Sequence, residues 1–295
     1  MINTELCPIC NCSLTATYFL FKGDYNVVRC KNCNVQFLWP QPSDATLANI
    51  YNSNYFLGSP TIEEKSRVSK IKQATSKVYL NTLSKLLPDK NRTMTLLEMG
   101  CGDGDLLVEG HTRNFTVYGI EVSPYAIKTA NEKLGSPSVI WGLSENIPIA
   151  PNSIDVCVLA DVIEHTRTPI NVIQQIQTIL KPAGLLFIVT PSLNSWSAKL
   201  MKSYWMEYKL EHLFYFSNNS MKKLLESNGF SNINIEPNYK VLTFDYIYHH
   251  FIRFQVPFFT PLLKILHAML PSKLMHTHIT LVASGMVVTA QKDRL

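Results

Sequence analysis

From residue 93 onward the chain alternates short apolar runs with amphipathic stretches, the texture of βαβ units built around a parallel sheet. The runs TLLEMG (95–100), TVYGIEV (116–122), SVIWG (138–142), IDVCVLAD (154–161) and GLLFIVTP (184–191) predict strands. Helical patterns fill 104–112, 124–134, 168–180 and 219–227, and the third ends in LKPAG, where a proline and a glycine stop it. Two more strands are predicted at 232–237 and 285–291, enclosing an apolar insert at 241–275. The expected fold is α/β, a doubly wound seven-stranded, mostly parallel sheet.

The first 92 residues have a different texture. Residues 1–40 are Cys-punctuated and strand-like, with YFLF and VQFLW on either side of a Gly23-Asp24 turn signal. They predict a small zinc-ribbon-like β module. Residues 41–92 are polar, with Val68, Ile71, Val78, Leu83 and Leu86 at helical spacing, and read as a linker and helical cap. The main domain is expected to span 93–295.

Composition narrows the function classes. A hydrophobic content of 46% over 295 residues supports a full core. The net charge of +5 is mild and no run of like charges stands out, which argues against a nucleic-acid partner. A basic segment followed by an apolar stretch is missing from MINTELCPIC, so a cytoplasmic location is expected by default. The insert is interrupted by Asp245, His249, His250, Arg253, Pro257, Pro261 and Lys264, and falls short of the roughly 18 apolar residues that a membrane span needs.

In LLEMGCGDGDLL a strand ends, turns on Gly100, Gly102 and Gly104, and opens a helix. Glycines are needed where the backbone takes positive φ or where a ligand lies on bare main chain. Glu121 closes the next strand 17 positions after Gly104, where an acid can accept both hydroxyls of an adenosine ribose. A dinucleotide site expects a third small residue at position 105, which is Asp105; this counts against a nicotinamide cofactor. Glu98 lies in a strand covered on both faces, where a carboxylate is costly unless a cation offsets it.

LLEMGCGDGDLL, YGIEVS, IDVCVLADVIEHTRTP and LKPAGLLFIVTP, in this order and spacing, resemble the motifs of class I S-adenosylmethionine-dependent methyltransferases, densely over residues 93–195. EHLFYFS followed by a helix ending in NGF is similar to many small-molecule members. The resemblance implies that Glu98 and the loop of Gly100, Cys101, Gly102 and Gly104 hold the methionine end of the cofactor. It assigns the ribose to Glu121 beside Val122. Asp161, at a strand end, reads either as meeting the cofactor or as a surface acid. The family often has an acid before a small residue at the adenine; here Leu143 stands at the acid position and Ser144 at the small one. Adenine recognition then falls to backbone near Ser144 or to Glu145.

Methyl transfer from a sulfonium is an in-line displacement, so placement dominates, and a hydroxyl acceptor also requires a base. His165 follows the fourth strand, where ligands bind in open α/β sheets; it reads either as that base or as a structural cap. His212 in EHLFYFS is a second candidate, placed by the resemblance near the acceptor with Tyr204 and Trp205. Glu164 reads as an acid orienting its loop at a helix N-terminus.

Cys7 and Cys10 form one CxxC pair and Cys30 and Cys33 another, with 19 residues between them, the spacing of a four-thiolate zinc site. A closed site of that kind reads as structural, against a redox or catalytic role. Cys12 is an additional thiol, and Cys101 and Cys157 read as core residues.

The function expected is transfer of a methyl group to a small-molecule or glycan/lipid-linked acceptor at oxygen. Two alternatives are an RNA methyltransferase, marked by a basic groove from zinc module to cofactor pocket, and a non-catalytic zinc-ribbon interaction protein. The insert at 241–275 reads as a pocket lid, a subunit contact or a peripheral membrane contact.

Overall fold

The computed structural model describes residues 6–13, 15–50, 62–87, 92–143, 147–257 and 259–294. Its centre is a seven-stranded sheet of β4 (Thr95–Met99), β5 (Thr116–Glu121), β6 (Val139–Trp141), β7 (Ile154–Ala160), β8 (Leu180–Pro191), β10 (Phe230–Leu242) and β11 (Ile279–Lys292). The strand order is β10-β11-β8-β7-β4-β5-β6. Strands β4 to β8 pair in parallel, and β11 runs antiparallel between β8 and β10. The doubly wound, mostly parallel sheet expected from the sequence is therefore present.

Two-fold alternation along the strands separates two cores. Leu97, Met99, Cys157 and Leu159 face helices α5 (Pro169–Ile179) and α7 (Asn218–Glu226). Leu96, Val156, Val158 and Phe187 face α2 (Ile62–Leu86), α3 (Asp105–Thr112) and α4 (Pro124–Leu134). Period 2 puts Glu98 on the same face as Leu96, the face that α2 and α3 cover.

The N-terminal segment forms β1 (Thr15–Leu20), β2 (Asn26–Cys30) and β3 (Gln36–Trp39), followed by α1 (Asp44–Ile50). YFLF and VQFLW lie on either side of the turn at Gly23-Asp24, which joins β1 to β2, a strand the sequence reading missed between them. Short β9 (Phe214–Tyr215) pairs with β3 as a fourth strand. Val28, Val35 and Phe37 share one buried cluster with Leu97 and Leu159 of the large sheet. The cysteine sheet and the large sheet thus lean on one another.

Helix α2 departs from the spacing read in the sequence. Among its described side chains the buried positions are Ile71, Thr75, Ser76, Tyr79, Leu80 and Leu83, whereas Leu86 is exposed. Polar residues occur on this inner face because the helix also walls a crevice. Strand β8 begins at Leu180, inside LKPAG, since Leu180 already pairs with Ile154; α5 has ended one residue earlier.

The insert forms α8 (Phe244–Phe254), α9 (Phe259–Met269) and α10 (Ser272–Met275) between β10 and β11. Both strands are longer than expected, so Val241 and Leu242 belong to β10 rather than to the insert. Leu262, Ile265, Met269 and Leu274 are exposed on these helices. Among the described residues no helix is long and apolar enough to cross a membrane. Trp205, expected near the acceptor, is buried against Tyr208 and Tyr215, and Tyr204 projects outward.

Candidate active site

A crevice of about 280 Å³ opens at the carboxyl ends of β4 and β7. Glu98, Gly100, Cys101, Gly102 and Asp161 line it, together with Lys72 and Tyr79 from α2 and Lys240 from β10. The floor is Glu98, 5% exposed, whose Oε2 has no hydrogen-bond partner among the described residues. Burial, reinforced by the nearby charges of Asp105 and Glu121, pushes its carboxyl well above the ordinary range. An orphaned buried acceptor of this kind is a position for a cationic donor.

The loop above Glu98 is shaped by backbone. Gly102 has φ of +50° and would meet nothing within 4 Å if it carried a Cβ, so its main chain faces open space. Its N–H donates to Glu121 Oε2 at 2.9 Å. Glu121 Oε1 accepts from the N–H groups of Val122 (2.8 Å) and Ser123 (2.9 Å), so this carboxylate ties the glycine loop to the end of β5. Gly104 serves packing: a Cβ there would lie 2.8 Å from Ala130 Cβ, where α3 crosses α4. Val122 is exposed. Ser144 and Glu145 lie outside the described residues. Asp161 Oδ2 pairs with Lys240 Nζ at 2.6 Å.

Just beyond Asp161, a 3-10 turn (Ile163–His165) carries Glu164 and His165. His212 arrives 47 positions later in the chain, and its ring meets that of His165 edge to face with centroids 4.6 Å apart. His165 Nδ1 lies 2.9 Å from the Glu211 carbonyl oxygen. A carbonyl only accepts, so Nδ1 carries the proton and Nε2 keeps the lone pair. Burial pulls both imidazoles below their ordinary range; His212 is held down further by His165 and Lys209. Glu164 Oε2 accepts from Thr190 Oγ1 at 2.9 Å, and burial, with Asp161 beside it, pushes that carboxyl up to about 8. Glu207 Oε2 stands 3.9 Å from His212 Nδ1. Its burial is outweighed by Lys209 and His212, which hold Glu207 at about 2. Ligand atoms of Glu164, His165 and His212 lie within 4.8 Å of one another.

The four cysteines of the CxxC pairs also converge, with Sγ atoms within 4.8 Å of one another. Cys7 to Cys33 is 3.7 Å and Cys10 to Cys30 is 3.6 Å. Four thiolates at a Zn–S distance of about 2.3 Å in a tetrahedron stand about 3.8 Å apart, so the donor set fits that ion. The N–H groups of Ile9 and Asn32 point at Cys7 Sγ and Cys30 Sγ, at 3.4 Å each. Cys12 is outside this group.

The sequence reading missed Lys72, Tyr79 and Lys240 as crevice walls. They come from elements far from the glycine loop, and the polar inner face of α2 was the available signal.

Comparison with known proteins is decisive for the family. A family model described as a methyltransferase domain matches residues 72–235, more than half of the chain. The chain belongs to this methyltransferase family. A curated relative, a ubiquinone biosynthesis O-methyltransferase of Cupriavidus pinatubonensis, is 28% identical over 123 residues, 40% of this chain and 49% of that protein. The chain spans about half the length of the curated relatives it matches. Among solved structures, an S-adenosylmethionine-dependent methyltransferase of Thermotoga maritima aligns with TM-score 0.53 and 17% identity over 81% of this chain and 100% of that one. Geranyl diphosphate C-methyltransferase of Streptomyces coelicolor aligns with TM-score 0.51 and 14% identity over 86% and 89%. At such identities these likenesses carry the methyltransferase fold alone.

Proposed function

We propose that this chain transfers the methyl group of S-adenosylmethionine to a hydroxyl on a small-molecule or glycan/lipid-linked acceptor, with His165 Nε2 taking the hydroxyl proton. The observation that carries this reading is the His165 imidazole, its Nδ1 held on the Glu211 carbonyl, one turn beyond a strand end that lines the Glu98 crevice. The cofactor, when bound, supplies the electrophilic methyl carbon. Glu98 binds its amino group, main chain at Gly100, Cys101 and Gly102 lies along its methionine end, and Glu121 accepts the ribose hydroxyls beside Val122. Asp161 closes the strand-end side of the crevice. Orientation then supplies most of the rate.

His212 packs on His165 and limits its rotation; Glu207, ionised beside His212, favours charge on the pair when the proton arrives. The relatives named ubiquinone biosynthesis O-methyltransferases support an oxygen acceptor. The cysteine site holds structural zinc in this reading, the chain divides at about residues 40 and 92, and helices of the insert at 241–275 contact a membrane surface with their exposed leucines and Met269. An RNA substrate is less well supported. A groove with basic residues does adjoin the cysteine sheet, but among the described residues it shares no lining residue with the cofactor crevice.

The test incubates the zinc-loaded chain with methyl-labelled S-adenosylmethionine and a panel of phenols, sugars, lipid-linked glycans and transfer RNA. Label is expected on one hydroxyl-bearing class. Label on RNA alone, or none on any acceptor while the cofactor binds, contradicts the proposal.

A further inference from the structure

A second cavity, of about 420 Å³, lies between the cysteine sheet and helix α6 (Trp196–Met201), within the size range of small-ligand pockets. Its lining includes Arg29 of β2, Lys199 and Lys202 of the α6 segment, and, among the described residues, no acidic residue. Among the described residues none of the three cations makes an ion pair. A neighbouring hollow continues over β1 and β2 past Tyr18, Arg29 and Lys31, again without an acid among the described residues. Cations gathered along one trough repel each other unless an anion sits among them.

The groups are also shaped for binding. Arg29 donates from Nη2 to Asn34 Oδ1 at 2.9 Å and its guanidinium lies 5.9 Å from the Tyr18 ring centroid, which steadies the fork that matches phosphate oxygens. Tyr18 is 45% exposed and offers a ring face at the mouth. Lys202 is held at φ 50° and ψ −121°, a conformation outside those that L-residues ordinarily populate. The opposite wall is fixed: Ser217 and Asn219 donate to the Cys33 carbonyl at 3.2 Å each, and the Tyr208 hydroxyl donates to the buried Gln36 Oε1 at 2.6 Å.

We infer that this groove binds a small molecule carrying a diphosphate joined to a ring, with the phosphates on Arg29, Lys199 and Lys202 and the ring against Tyr18. Among the described residues the site shares none with the cofactor crevice, and it does not depend on the methyl-transfer reading. A polyanion such as RNA would need the cationic trough to extend well past the four basic residues among its described lining.

Titration calorimetry on the zinc-loaded full chain tests the site with two probes, inorganic pyrophosphate and uridine diphosphate. Both are expected to bind saturably at one site, uridine diphosphate more tightly, and the difference is lost in Tyr18→Ala. Arg29→Gln and Lys202→Gln each weaken both probes by about fivefold or more, and with Lys199→Gln added by about tenfold or more, with affinity falling as salt rises. S-adenosylmethionine affinity is unchanged in these exposed-residue variants, which separates loss of the site from loss of the fold. No binding of either probe, or equal binding by the variants, overturns the proposal. So does a single-stranded RNA dodecamer that binds at least tenfold more tightly than uridine diphosphate. A chain that binds uridine diphosphate but not S-adenosylmethionine keeps this site and removes the transfer reading.

Discussion

Replacing His165 with alanine is expected to lower kcat for an oxygen acceptor by about 10²- to 10⁴-fold, with cofactor affinity unchanged. The expectation follows from one hydrogen bond: the Glu211 carbonyl fixes the Nδ1 proton, so Nε2 is the basic nitrogen. The pH profile adds an independent readout. Burial lowers the pKa of His165, so it stays neutral at pH 7, and the acid limb of kcat falls below the ordinary imidazole value of about 6.5. His212→Ala is expected to have a smaller effect on kcat, since that ring positions His165. A rate unaffected by His165→Ala, or an acid limb at or above the ordinary imidazole range, contradicts the assignment.

The same residues set a stability window. Both histidines have folded-state pKa values below their unfolded ones. The unfolded chain therefore binds more protons as pH falls through the imidazole range, and stability is lost in that direction. Glu164 works oppositely: its carboxyl, pushed up to about 8, contributes stability below the ordinary carboxylate range that disappears as pH rises through about 8.

Removing the metal is the second large effect expected. Structural zinc contributes about 10–16 kcal/mol of apparent binding free energy in small zinc modules. Losing even about 5 kcal/mol lowers Tm by about 10–20 °C in a domain of 150–250 residues. The cysteine sheet here pairs with β9 and shares a core with the large sheet. Chelation, or Cys30→Ser, is therefore expected to lower the melting temperature of the whole chain rather than to release an independent module. Metal analysis of the purified chain is expected to give about one zinc per molecule, in keeping with a closed four-thiolate site. A melting curve indifferent to chelator would remove the structural role.

The central sheet was legible because β4, β5, β7 and β8 are apolar runs bounded by turn chemistry, and their ends moved by few residues apart from the early start of β8. Glu98 was conspicuous for the opposite reason, a carboxylate inside such a run. The cysteines announced themselves by spacing. Other features were masked or gave a signal that cut against their assignment. Strand β2, Asn-Val-Val-Arg-Cys, begins with a buried asparagine and ends in Cys30, which its spacing to Cys33 marks as a ligand position, so its strand character is masked. Strand β9 is two residues long and is defined only by its pairing with β3, far away in the chain. The inward Thr75 and Ser76 of α2 broke the apolar stripe, and the meeting of His165 with His212 depends on a loop closure of 47 positions.

Everything about the reaction rests on the Glu98 crevice as the seat of the cofactor. Its most direct test is calorimetric titration of the intact chain and of Glu98→Gln with S-adenosylmethionine. The intact chain is expected to bind one equivalent saturably, and Glu98→Gln to bind about 10- to 150-fold more weakly, the range of a charged hydrogen bond worth about 1.5–3 kcal/mol. No binding to the intact chain, or equal affinity in the variant, would contradict the account.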